Sequence, residues 1–258
     1  MPPESEYNEV TMKKPISPVK AYENIQFLKS EDARTIRILS EYQEPLTRLN
    51  KQKVNDTVLF FGSSRANPDD PNSSLSRYYW EAEELAYLLA DWAIRLEAKG
   101  KNFVICTGGG GGIMEAANRG ADRAGGKSIG MNISIPMEQY PNSYISPELA
   151  FEFHYFFMRK FWLVYLAKAI VAFPGGYGTL DEIFEVLTLT QTQKIDRNEI
   201  CVILYGEEYW REILNLEVLV EKQAVSRTDL ALFHYCSQPQ EAFEYLKSRL
   251  VPRVRETD

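Results

Sequence analysis

Little in this sequence is available for metal or redox chemistry. The chain carries three cysteines, Cys106, Cys201 and Cys236, and two histidines, His154 and His234. No C-x-x-C spacing occurs, so neither a disulfide framework nor a cysteine-rich zinc site is indicated. Two histidines exclude a histidine-rich metal centre, and no metal is expected. Positive charge is also short: 29 basic against 36 acidic residues leave a formal charge of -7. That balance removes electrostatic support for coating a nucleic-acid polymer or an anionic membrane. The leading segment MPPESEYNEVTMKK lacks the apolar stretch of a signal peptide, and no run approaches a membrane span. The expected setting is cytoplasmic.

What is present is the composition of a globular protein. At 258 residues the chain is long enough for one well-buried core and short for two independent domains. Residues 1–54 read as a partly helical arm or cap, or as a plain exposed extension. Within them 1–20 are polar with four prolines, and 21–50 show helical spacing in Ile25, Leu28, Ile36 and Leu39. Pro45 is expected to break or restart the helix. Residues 251–258 read as a polar tail.

From residue 57 short apolar runs alternate with amphipathic stretches. Strands are expected at Thr57–Phe61, Phe103–Cys106, Lys127–Ile135, Ala169–Phe173 and Ile200–Leu204, with an edge strand at Ala231–Tyr235. Helices are expected at Ser76–Leu96, Ile113–Arg123, Glu152–Ala167, Gly178–Thr190, Glu208–Glu221 and Pro239–Leu250. This alternation predicts a Rossmann-like, doubly wound α/β domain over residues 55–250, with a mostly parallel sheet flanked by helices.

In open parallel sheets ligands gather beyond the carboxyl ends of the strands. Three chemically unusual turns fall there: Gly62-Ser63-Ser64-Arg65, Thr107 to Gly112 with five consecutive glycines, and Pro174 to Thr179. Glycine costs about 0.5–1 kcal/mol against alanine in regular structure. A run of five suits a backbone that must approach a ligand closely, and the helix start behind it suits a phosphate. Neither a dinucleotide G-x-G-x-x-G after the first strand nor a P-loop lysine pattern is present.

In the third turn, Gly175, Gly176 and Gly178 let the chain bend closely, and Thr179 offers a hydroxyl and an N–H at the helix start. Asp181 and Glu182 follow in the first turn, where a carboxylate also serves simply as helix-end stabilisation. Glu185 shares the face of Glu182. Upstream, Phe153 to Trp162 is densely aromatic, as core or subunit interface would be. Arg159 and Lys160 stand out within it, because long cations among aromatics need an anion or solvent. Arg159 offers a rigid fork for a phosphate, ribose oxygen or carboxylate. His154 reads as a packed or supporting group rather than a base.

With these motifs the chain resembles the Lonely Guy family of nucleoside 5'-monophosphate phosphoribohydrolases, long mislabelled lysine decarboxylases. The most specific part is Pro174 to Glu182, matching PGGxGTxxE, backed by Gly108 to Glu115 and Arg159-Lys160. The resemblance implies hydrolysis of the N-glycosidic bond of a nucleoside 5'-monophosphate to free base and ribose 5-phosphate. It implies catalytic roles for Arg159 and Glu182, and phosphate-binding loops holding Gly109, Gly110, Gly111, Gly178 and Thr179. Glu185 takes a supporting acidic position, and Gly62, Ser63, Gly175 and Gly176 complete the substrate-binding turns. It further implies homodimers or assemblies of dimers, and no organic cofactor. The nucleobase stays open among AMP, GMP, CMP, IMP and isopentenyl-AMP. One rival is a non-catalytic carrier of a nucleotide or phosphorylated pterin on the same fold. The other, a pyridoxal-dependent decarboxylase, lacks a lysine in a convincing cofactor context.

Overall fold

A computed structural model describes residues 17–70, 72–97, 102–136 and 140–250. The leading residues 1–16 of the expected extension and the expected tail at 251–258 lie outside the described residues. The described residues fall into two compact units that divide between Ser40 and Glu41. The first holds a short helix α1 (Ile25–Lys29), whose Asn24 side chain accepts from the Phe27 N–H as an N-cap. Helix α2 (Arg34–Lys51) follows.

Helix α2 runs straight through Pro45, against the expected break. Proline has no N–H to give the carbonyl of Glu41, four residues earlier. The indole Nε1 of Trp162 donates to that carbonyl instead, at 3.0 Å. Nearby, the Glu41 carboxylate accepts from the N–H groups of His154 and Tyr155, and Arg48 donates to the Ala150 carbonyl.

The larger unit is built on a seven-stranded sheet of order β4-β3-β2-β1-β5-β6-β7, in which every pairing is parallel. Its strands are β1 (Thr57–Phe61), β2 (Val104–Thr107), β3 (Ser128–Ile133), β4 (Ala150–Phe153), β5 (Ala167–Ala172), β6 (Cys201–Tyr205) and β7 (His234–Cys236). The connecting helices are α3 (Ser76–Glu97), α4 (Ile113–Arg123), α5 (Phe156–Tyr165), α6 (Tyr177–Gln191), α7 (Glu207–Ile213), α8 (Leu216–Glu221) and α9 (Pro239–Leu250). The expected doubly wound architecture is present.

Alternation along each strand feeds two cores. Val58, Phe60, Ile105, Val171 and Ile203 pack with Leu85, Leu89, Ala117 and Leu246 of α3, α4 and α9. On the other face Ala172 and Leu204 meet Ile183 of α6 and Trp210 of α7. Burial on both faces explains why the strands read as continuous apolar runs rather than alternating ones.

Three local expectations are corrected. β4 occupies residues expected to begin a helix, and the helix starts only at Phe156. The helix expected over Glu208–Glu221 is two, α7 and α8, separated at an extended Leu214. The last strand begins late because Ser226 and Asp229 form a capping box that opens a short 3-10 turn through Leu232. No helix among the described residues is long and apolar enough to cross a membrane.

The strand order reverses between β1 and β5, which are neighbours in the sheet but distant in sequence. The carboxyl ends of these two strands are therefore the crevice where a doubly wound sheet receives its ligand.

Candidate active site

Ser63, just past β1, joins the three turns. Its N–H donates to the Pro174 carbonyl at 2.9 Å, and its own carbonyl accepts from Ile113 N–H at 3.1 Å. Both contacts are close enough to require glycine on the opposite side. Gly112 sits at φ +64, and a Cβ there would lie 2.3 Å from the Ser63 carbonyl oxygen. A Cβ on Gly175 would lie 2.2 Å from Thr179 Oγ1 and 3.0 Å from Ser63 N. Gly62, Ser63, Gly175 and Thr179 are thus drawn together with the end of the five-glycine run. Gly176 and Gly178 face open space instead, with no atom within 4 Å of a built Cβ.

The middle of the glycine run is held from behind. Asn142 Nδ2 reaches the carbonyls of Gly109 and Gly110 at 3.1 and 3.0 Å. The same amide meets Asn118 Oδ1 at 2.9 Å. Thr107 Oγ1 donates to Asn118 Oδ1 and accepts from Gly109 N–H. Asn118 is fully buried, so this network fixes the loop without spending loop side chains on the ligand side. On the other flank, Tyr209 Oη donates to the Gly175 carbonyl at 2.9 Å. Asn118, Asn142 and Tyr209 went unnoticed in the sequence; each is an ordinary polar residue with at least one partner 24 or more positions away.

Helices α4 and α6 start at Gly112 and Gly176, and neither start has a side-chain cap. The first N–H groups of a helix lack intrahelical acceptors, and with the dipole they favour an anion. Two such starts, joined through Ser63, make a cradle of a kind that favours an anion.

Next to this cradle α5 faces α6. Arg159 Nη2 lies 3.9 Å from Glu182 Oε1, and both side chains are largely buried. That separation is an ion pair short of hydrogen-bond contact. Among the described residues, Arg159 Nε and Glu182 Oε2 are buried without a hydrogen-bond partner. Burial pushes the Glu182 carboxyl up to about 7, although Lys160 and Arg159 both pull it down. Burial likewise lowers Arg159 against the attraction of Glu182 and Asp181. Lys160 Nζ sits 2.8 Å from Asp181 Oδ2 and 3.0 Å from Glu185 Oε2. Burial opposes its charge, but the bonds to those two carboxylates raise its affinity for the proton. Arg159, Glu182 and Glu185 are therefore brought together, with Glu182 one turn beyond Thr179 on the same helix.

His154 is exposed, its ring edge-on to Tyr155 rather than packed away. The aromatic segment divides: Phe153, Tyr155 and Trp162 are buried, while Phe156, Phe157 and Phe161 are exposed. Among the described residues, His234, Cys236 and Glu241 bring metal-ligating atoms within 4.8 Å of one another, on β7 and α9. The Glu241 carboxylate already accepts from Ser237 N–H there, closing the start of α9.

A family model described as "Possible lysine decarboxylase" matches residues 114–246, from the foot of the glycine run to the last helix. The chain belongs to this family. It is the Lonely Guy family, and the motif at Pro174 to Glu182 lies inside the match. A cytokinin riboside 5'-monophosphate phosphoribohydrolase from Rhodococcoides fascians is 31% identical over 135 residues, 49% of this chain. The match spans 63% of that relative's length. The structural-genomics protein TM1055 covers 75% of this chain and 99% of its own, with TM-score 0.52 at 24% identity. A molybdenum cofactor carrier protein from Chlamydomonas reinhardtii covers 76% and 98%, with TM-score 0.51 at 19% identity. These two likenesses establish a shared fold for this Lonely Guy family member.

Proposed function

We propose that this Lonely Guy family member hydrolyses the N-glycosidic bond of nucleoside 5'-monophosphates, releasing the free base and ribose 5-phosphate. The observation that carries the reading is Glu182: a buried carboxylate with one oxygen unpartnered, held near an arginine, one turn into a helix whose start is uncapped. The cytokinin riboside 5'-monophosphate phosphoribohydrolase of Rhodococcoides fascians, to which the chain is similar, supports the same class of reaction.

Breaking the bond places positive charge on the anomeric carbon and negative charge on the departing base. Glu182, ionised, faces the sugar, stabilises that carbon and takes a proton from the attacking water. The water oxygen bonds to the anomeric carbon, the carbon–nitrogen bond breaks, and the proton ends on the base. Glycosidases use two carboxylates for these tasks; a nucleobase accepts a proton on its own nitrogens, so one carboxylate suffices. With a pKa of about 7, Glu182 exchanges protons readily at neutral pH. Arg159 holds ribose or phosphate oxygens through its unpartnered nitrogen. The helix starts at Gly112 and Gly176, with the loop Gly109–Gly111, Gly178 and Thr179, hold the 5'-phosphate, and that remote binding orients the sugar.

The chain acts as a homodimer in this proposal. Phe156, Phe157, Phe161 and Tyr165 form an exposed aromatic ridge on α5, the helix that carries Arg159, and a second copy would cover it. No pyridoxal-type cofactor is required.

Incubation with AMP, GMP, CMP, IMP and isopentenyl-AMP, followed by chromatography for free base and ribose 5-phosphate, tests the reading. Release of a base from at least one nucleotide is expected. Tight binding of intact nucleotide with no base released from any of them would replace it with the carrier function.

A further inference from the structure

Three carboxylates of α6, Asp181, Glu182 and Glu185, face two cations of α5, and the cations are not used alike. Asp181 and Glu185 are four residues apart, hence neighbours on the helix surface. Lys160 closes on both at 2.8 and 3.0 Å. Arg159 remains 3.9 Å from Glu182, and neither its Nε nor Glu182 Oε2 has a hydrogen-bond partner. One crossing from α5 to α6 is therefore closed at ion-pair contact, although Glu185 Oε2 itself still lacks a hydrogen-bond partner, while the other stays about 1 Å longer.

We infer that Lys160 is a positioning residue: by occupying Asp181 and Glu185, which flank Glu182, it keeps Arg159 from closing on them and leaves the Arg159–Glu182 pair free for substrate. The role assigned to the pair rests on the hydrolase reading; the arrangement of charges does not.

The physical case is one of competition. A guanidinium has five N–H donors on a long arm and pairs readily with carboxylates. Arg159 already feels the charge of Asp181 as well as that of Glu182. Without the ammonium of Lys160, Asp181 and Glu185 lack their nearest counter-ion, and Arg159 is the only other cation on the facing helix. Its turn toward them would withdraw it from Glu182. Glu182 would then lose two nearby positive charges while Asp181 and Glu185 remain, so its proton would be held more tightly.

The test compares K160M, K160R and D181N/E185Q in the full chain, with and without K160M added to the last. K160M should lower kcat by about 100-fold while KM for the best nucleotide moves less than about threefold, the pattern of lost transition-state alignment. Its acid limb in the kcat profile should move to higher pH, and K160R should restore most of the activity. Added to D181N/E185Q, K160M should cost less than about threefold more, because the partners through which Lys160 acts are gone. An equal KM increase in both backgrounds would make Lys160 a direct substrate ligand and overturn the inference. A readout independent of turnover is the titration of the Glu182 carboxyl, followed by carbon-13 NMR in the ligand-free protein. Its midpoint should rise in K160M and return in K160R. An unmoved midpoint overturns the positioning role even if no nucleotide is hydrolysed, whereas a risen midpoint without hydrolysis leaves it standing and removes only the proposed reaction.

Discussion

The indole of Trp162 donates to the carbonyl of Glu41, the acceptor that Pro45 leaves without a donor inside α2. A long-range bond thereby stands in for a missing local one, and it ties the helix that carries Arg159 and Lys160 to residues 41–51. Trp162→Phe should destabilise the protein by about 1–3 kcal/mol, the range for a buried acceptor stripped of its partner. Adding Pro45→Ala should recover part of the loss, because alanine returns the N–H that the helix lacks. Urea unfolding of the single and double variants measures both effects; a double variant no more stable than Trp162→Phe would refute the substitution of one donor for the other.

Glu182→Gln should reduce kcat by at least about 100-fold with little change in nucleotide affinity, as expected for a group acting mainly in the transition state. In the wild type, kcat should climb with pH through about 7 as the carboxyl ionises. A flat profile from pH 5 to 8 would contradict the assignment.

The same carboxyl has an opposite effect on folding. Its native pKa of about 7 lies above that of an unfolded glutamate, so between the two the native state holds more protons and stability falls as pH rises. Glu182→Gln removes this burden. The variant should be more stable than wild type by roughly 2–3 kcal/mol at pH 8, a gap that closes toward pH 4. Thermal unfolding across that pH range reads the difference directly, and equal stabilities at pH 8 would show that burial of the charge carries no penalty.

Gly175→Ala should separate the turns that Ser63 joins, since its Cβ would meet Thr179 Oγ1 at 2.2 Å and Ser63 N at 3.0 Å. Nucleotide KM is expected to rise by more than about 10-fold, consistent with displaced orienting contacts. Gly126→Ala, at ordinary contact distance of 3.4 Å from its nearest neighbours, should leave KM unchanged.

Removing the 5'-phosphate from the substrate should be equally costly. If the starts of α4 and α6 hold that group, kcat/KM for adenosine should fall at least about 100-fold below that for AMP. Equal values for the two compounds would mean that the cradle serves another purpose.

Much of this was legible in the chain because its signals are local. β1, α4 and α9 begin and end where apolar runs, glycines and Pro239 place them, and the three unusual turns at the carboxyl ends of the strands announce themselves by composition. β4 was hidden because four residues, AFEF, merge into the aromatic run of α5. Continuity through Pro45 was unreadable, since the compensating donor lies 121 residues beyond the Glu41 carbonyl it serves. The pairing of Lys160 with Asp181 and Glu185 was equally out of reach, because it depends on how two helices face each other rather than on either helix alone.

The glycines that open α4 and α6 have a thermodynamic corollary. A serine, aspartate or asparagine in such a place adds a side-chain acceptor worth only about a few tenths of a kcal/mol over glycine, and this chain forgoes that acceptor twice, side by side. An incoming phosphate would supply both absent caps at once, so occupancy and rigidity rise together. Melting temperature then becomes a sensor of what the crevice accepts, with phosphorylated sugars ranked by how far they shift it.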